Sequence, residues 1–138
     1  MGYYDLASGA KTAQGGPPAV YTNSLTGTTV DTRGCDTLYC VVNMGTATGD
    51  GTMDIKFQED AASDMNTRND ITSATFTEIS TSVHEGVQVG RLNLTGVKRY
   101  VRVYGTYGGS GNVLVGVSYV MGVANSADAT TADFNLIP

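Results

Sequence analysis

The sequence predicts an all-β protein, an antiparallel β-sandwich or jelly-roll-like fold with extended N- and C-terminal arms. Three observations carry that expectation. Thr, Gly and Val are the commonest residues, and the 18 Gly punctuate the chain at short intervals. Several runs alternate apolar and polar side chains with a period of two. No segment repeats its apolar residues at helical spacing, and no repeat of solenoid length is found.

The first 18 residues contain Gly2, Gly9, Gly15, Gly16, Pro17 and Pro18 without periodicity and read as an extended arm, with the body starting near Ala19. Leu38, Cys40, Val42 and Met44 share one parity, and Tyr39, Val41 and Asn43 the other, so this strand is apolar on both faces. Gly45, Gly49, Asp50 and Gly51 supply a turn. In the next strand Met53, Ile55 and Phe57 point inward and Asp54, Lys56 and Gln58 outward, which predicts a first hairpin from these two runs. Glu59 to Asp70 is a polar loop. Short strands are expected at Thr75–Ile79 and Val83–Leu94, the second with a bulge at Gly90, where the inward parity passes from Val87 and Val89 to Leu92 and Leu94. A last hairpin is expected from Val97–Tyr104 and Val113–Met121, turning through Gly108-Gly109-Ser110-Gly111. Residues 19–122 thus form one sandwich domain. Residues 123–138 form a tail that is small and polar until the apolar tip of Phe134, Leu136 and Ile137.

Composition narrows the function. The chain has 138 residues, enough for one domain with its own core. It is 41% hydrophobic and 15% charged, too apolar for a disordered chain. Its net charge of −5 argues against binding nucleic acid by neutralising phosphates. No run approaches the ~20 apolar residues of a membrane helix, and residues 1–18 lack the basic-then-apolar order of a secretory signal. A soluble protein made in a reducing cytosol is therefore expected. Cys35 and Cys40 are five apart on one extended segment, about 16 Å at ~3.3 Å per residue, too far for a disulfide without a fold-back.

Chemistry-bearing motifs are few. His84 is the single histidine, with no Gly-x-Ser-x-Gly or Cys-His arrangement beside it, so no enzyme is expected. One His and two Cys fall short of a zinc set. The loop with Glu59, Asp60, Asp64 and Asp70 departs from the EF-hand order and reads as solvated. Gly105–Gly111 carries no Lys and leads into a strand, so it reads as a turn and not a phosphate loop. No cofactor or metal is expected. The feature that stands out is the row Lys98, Tyr100, Arg102, Tyr104 and Thr106 on one strand face. Tyr and Arg are the residues enriched at interface hot spots, so Tyr100, Arg102 and Tyr104 are candidate partner contacts.

Two stretches, Val30-Asp31-Thr32-Arg33-Gly34-Cys35-Asp36-Thr37-Leu38 and Gly90-Arg91-Leu92-Asn93-Leu94-Thr95-Gly96-Val97-Lys98-Arg99-Tyr100-Val101-Arg102-Val103, together with the Gly-rich final turn, give the chain a likeness to small structural proteins of tailed bacteriophages. Over most of residues 28–122 it resembles the capsid cement (decoration) proteins on the outside of mature phage heads. The resemblance implies a jelly-roll-like, commonly homodimeric protein, made in the host cytoplasm, that clamps neighbouring major capsid subunits on the capsid exterior against DNA pressure. No direct contact with nucleic acid or membrane is expected. The arms are then expected to reach neighbours, through Tyr3, Tyr4 and Leu6 at one end and Phe134, Leu136 and Ile137 at the other. The competing expectation is a tail or fibre subunit, or a glycan- or receptor-binding sandwich, although the chain has no Trp for a sugar platform.

Overall fold

The computed structural model describes residues 11–122 and the backbone of 134–137. The strands are β1 (Lys11–Tyr21), β2 (Leu25–Thr26), β3 (Val30–Asp31), β4 (Thr37–Thr48), β5 (Thr52–Asp60), β6 (Asn69–Thr75), β7 (Gly86–Asn93), β8 (Tyr100–Gly108), β9 (Asn112–Gly122) and β10 (Phe134–Ile137). No helix occurs among the described residues. Sheet A has the order β1-β9-β4-β7-β10, and sheet B the order β2-β8-β5-β6, with β3 also paired to β8. Every pairing is antiparallel. The two sheets pack face to face as the β-sandwich that the alternation predicts.

The core is the sum of the inward rows. From sheet A come Leu38, Cys40, Val42 and Met44 of β4, Leu92 of β7, and Val113, Val115, Val117, Tyr119 and Met121 of β9. From sheet B come Met53, Ile55 and Phe57 of β5, Ala74 of β6, and Val101 and Val103 of β8. Burying a side chain of this size contributes ~1.5–3 kcal/mol before ordering costs. One polar bolt crosses the core. The hydroxyl of fully buried Tyr119, rooted in sheet A, accepts a hydrogen bond of 2.8 Å from the backbone N–H of Val103 in sheet B. β2 and β3 leave a gap along β8 at this level, where Gly27 bonds the Val103 carbonyl, so the tyrosine supplies the partner for the amide.

Five expectations are corrected by this topology. The two predicted hairpins are absent: β4 lies in sheet A and β5 in sheet B, and β8 and β9 are divided in the same way. Each pair is an arch that carries the chain from one sheet to the other, and the arches stack, because β4 pairs with β9 and β5 with β8. Asp50 of one arch accepts hydrogen bonds from the amide (2.7 Å) and hydroxyl (2.8 Å) of Ser110 in the other. A Cβ at Gly109 or Gly111 would run into the carbonyls of Asp50 or Thr48, which explains the glycines there.

The bulge expected at Gly90 is also absent. β7 pairs with β4 in unbroken register from Thr37↔Asn93 to Met44↔Gly86. The inward positions are therefore Gln88, Gly90 and Leu92 throughout, and Val87 faces solvent at 58% exposure. Valine parity misled because the outward face of this sheet is itself apolar.

The arm expected over residues 1–18 is a strand from Lys11 onward, since β1 pairs with β9 from Lys11↔Met121 to Tyr21↔Val113. Register shifts at Gly15–Gly16 hide the alternation. A Cβ on Gly15 would strike the Tyr119 ring and one on Gly16 the Leu25 side chain, so the strand needs both glycines to pass. In the expected tail, the backbone of Phe134–Ile137 pairs with β7 from Phe134↔Leu92 to Ile137↔Val89. A sheet edge, with its row of unpaired N–H and C=O groups, is the physical reason this segment adds as a strand. The expected contacts at Tyr3, Tyr4 and Leu6 lie outside the described residues.

Candidate functional site

Alternation along β8 turns Val101 and Val103 into the core and leaves Tyr100, Arg102 and Tyr104 on the outer face of sheet B. The structure thus brings together the three predicted contact residues of this strand, each half-buried. Their cross-strand partners on β5 are Asp60, Gln58 and Lys56, in that order. A hydrogen-bonded chain fixes Arg102 in this row. Arg102 donates from Nε to Oε1 of Gln58 at 3.0 Å, and Gln58 donates from Nε2 to Oδ1 of Asp70 at 2.9 Å. Lys56 donates to the second oxygen of Asp70. The Lys56 ammonium, then the Gln58 amide, hold the Asp70 carboxyl below its usual range.

Tyr100 is fixed from its other side. The Arg99 guanidinium lies 5.0 Å from the centre of its ring and forms a two-pronged ion pair with Asp31, at 3.0 and 2.7 Å. Hydrogen bonding from Arg99, and then from the Arg33 amide, holds the Asp31 carboxyl at about 2.

The acidic loop serves this face from one end. Fully buried Asp60 accepts hydrogen bonds from the amides of Ala62 (3.2 Å) and Thr67 (2.7 Å) and from the Thr67 hydroxyl (2.9 Å). Burial works to raise the Asp60 carboxyl, but these donors outweigh it and leave the group below its ordinary value. The loop joins β5 to β6, which pair directly as a hairpin. Asp60, Asp64 and Asp70 each bond to neighbours in their own segment or to β5. Among the described residues no group of three His, Cys, Asp or Glu side chains is placed to hold a metal ion.

His84 sits half-buried ahead of β7, with Nδ1 3.9 Å from the Glu85 carboxylate. Cys40 is buried and its thiol is pushed up by that burial, while Cys35 is half-buried; both are free thiols.

The outer face of sheet A has the opposite character, and sequence reasoning did not single it out as a site. Its outward rows are Leu114, Gly116, Ser118 and Val120 on β9, Tyr39, Val41 and Asn43 on β4, and Val87, Val89 and Arg91 on β7. Among the described residues the exposed large hydrophobics are Val20, Tyr39, Val87 and Leu114, and all four lie on this face. The available signal was the strand apolar on both parities, Leu38–Met44. Between β1, β9 and β4 the face dips into a groove of about 300 Å³ lined by Gly16, Pro18, Asn43, Gly45, Leu114 and Gly116, with Pro18 against Gly116 and Leu114 against Gly45.

The chain matches no protein-family model, and no curated protein matches it. Fold and surface define it as a two-sheet antiparallel sandwich with two contrasting outer faces.

Proposed function

We propose that this protein is a structural virion protein, a cement protein that binds the outer surface of a phage head and ties neighbouring major capsid subunits together. The observation that carries the reading is the Tyr100–Arg102–Tyr104 row on the outer face of sheet B, in which Arg102 is held through Gln58 and Asp70 and Tyr100 lies beside the Arg99 guanidinium before any partner arrives. Tyr and Arg are enriched among the few residues that dominate binding energy at protein interfaces, and side chains already held in place lose little entropy on docking. The resemblance in sequence supplies the kind of partner, a repeating protein lattice. On such a lattice a small rigid module needs only modest affinity per site when several contacts act together.

The test is occupancy of purified, expanded heads lacking this protein. Arg102→Ala and the Tyr100→Ala/Tyr104→Ala pair are expected to lower apparent affinity by about tenfold or more, a hot-spot loss above ~1.4 kcal/mol. Wild-type protein that fails to bind heads, and instead binds glycans in an array or assembles into rings, overturns the reading in favour of a receptor-binding or tail component.

A further inference from the structure

We propose that the partner surface presents a carboxylate, an Asp or Glu side chain of a capsid subunit, to the guanidinium groups of Arg102 and Arg68. This rests on the cement reading and deepens it, by naming the chemistry of the contact and a residue outside the tyrosine row.

Placement is the first ground. Arg102, Gln58 and Asp70 form one row across β8, β5 and β6. One step beyond the pair Glu59↔Asn69, Arg68 comes level with Asp60, whose partner on β8 is Tyr100. Arg68 and Arg102 are thus two strands apart and displaced by one side-chain repeat, about 12 Å between Cα atoms. Their charges are felt across that corner. Burial, and then the like charge of Arg68, hold the Arg102 guanidinium below its ordinary value.

Unspent donors are the second. Arg102 donates from Nε to Gln58, and among the described residues its two terminal nitrogens bond to nothing. Exposed Arg68 gives one nitrogen, Nη1, to the Met65 carbonyl at 3.1 Å. Neither guanidinium has a carboxylate at ion-pair distance among the described residues. The acids nearby are engaged elsewhere. Asp31 holds Arg99, Asp70 holds Lys56 and Gln58, Asp60 holds its own loop, and Glu59 accepts the Lys98 amide at 2.9 Å. Exposed Asp54 lies four residues from Gln58 along β5, about 13 Å away. Gln58 is what leaves Arg102 open. It is 7% exposed and stands between Arg102 and Asp70, so the guanidinium meets an amide oxygen where a carboxylate would neutralise it.

Chemistry is the third. The two terminal nitrogens of Arg102 offer paired donors that match the two oxygens of a carboxylate. Arg102 is already half-buried, so part of its desolvation takes place on folding and not on docking. The chain as a whole carries a charge of −5, so an acidic surface is attracted at this corner and repelled by the molecule at large. That contrast orients the encounter.

Purified, expanded heads lacking this protein test the contact through salt, charge and chemical capping. Apparent wild-type affinity is expected to fall about tenfold between roughly 0.05 and 0.5 M salt. Arg102→Gln is expected to weaken binding at low salt about tenfold and Arg68→Gln about fivefold, and both should flatten the salt dependence. Arg68→Lys keeps the charge and should retain most of the affinity, a rescue that a merely structural role for Arg68 does not predict. Amidating the head carboxylates with a carbodiimide and ethanolamine should abolish occupancy. A wild type that never binds heads overturns this inference together with the cement reading. Binding that ignores salt, is as tight in Arg68→Gln as in wild type, or persists on amidated heads overturns the carboxylate contact alone and leaves the cement reading standing.

Discussion

The two sheets obey the same alternation and bury equally apolar inward rows, yet their outward rows differ. On sheet B, Lys56, Gln58, Asp70 and Arg102 are bonded to one another, as expected of a face kept in water. On sheet A the outward rows are Val, Leu, Tyr, Gly, Ser and Asn, with a single cation. An antiparallel sandwich needs only its inner faces to be apolar, so stability of the monomer does not account for the outer row of sheet A. The comparison separates residues that make the fold from residues whose apolar character the fold does not require.

The largest effect should come from the inward rows, which belong to neither outer face. Phe57→Ala removes a fully buried ring that packs against Phe76 and is expected to cost about 3–5 kcal/mol in urea denaturation. Val87→Ala on the exposed row should change the same measurement by less than ~0.5 kcal/mol under conditions where the protein is monomeric. Tyr119→Phe keeps the ring and leaves the Val103 amide buried without its partner; a loss of about 1–3 kcal/mol is expected. An unchanged unfolding midpoint for Tyr119→Phe would mean that water replaces the hydroxyl between the sheets.

A crossed pair of variants sharpens the contrast of faces. Arg102→Ala should weaken lattice binding by about tenfold, and Val87→Asp, on the outer face of the other sheet, should leave it unchanged. Weakened lattice binding by Val87→Asp would show the two faces to be one coupled surface.

The smallest effect concerns acid. Asp31 is held at about 2 by Arg99, below an unfolded value of ~3.9. Its contribution is present above the unfolded value and is lost as pH falls through the folded one. Asp50 and Asp60 are lowered too, Asp50 chiefly by hydrogen bonds from Ser110. Melting temperature should therefore drop between about pH 4 and pH 2. Asp31→Asn should make that drop shallower, and an identical acid limb would remove the Arg99 pair from the account.

The sequence made the all-β class and the inward rows of β4, β5, β8 and β9 legible, because burial imposes a period of two wherever a strand has one wet face. It did not reveal which strands share a sheet. Met53, Ile55 and Phe57 point at Leu38, Cys40 and Val42 equally well whether the chain turns back in a hairpin or arches over to the opposite sheet. The Gly-Asp-Gly and Gly-Gly-Ser-Gly connections fit either. β1 was hidden by its glycines, which leave no side chains to alternate, and β7 by valines on a face that is not polar. That Tyr100, Arg102 and Tyr104 share the outer face of their strand was legible from spacing alone. The groove was not, since it joins Gly16, Gly45 and Gly116 from three strands distant in the chain.

The arches also govern how the molecule can form. Strands that follow one another closely, such as β4 and β5, end in different sheets, so neither sheet is completed by local zipping. Apart from the β5–β6 hairpin, their ladders wait on segments dozens of residues away, with β4 pairing to β7 and β9 and β5 to β8. Closing such distant loops before any pairing rewards them places this chain among the slow folders, in the millisecond-to-second range of all-β domains. Newly made chains therefore pass through a period with unpaired strand edges, and the short crowded turns at Gly109 and Gly111 are where a delay in threading would be felt first.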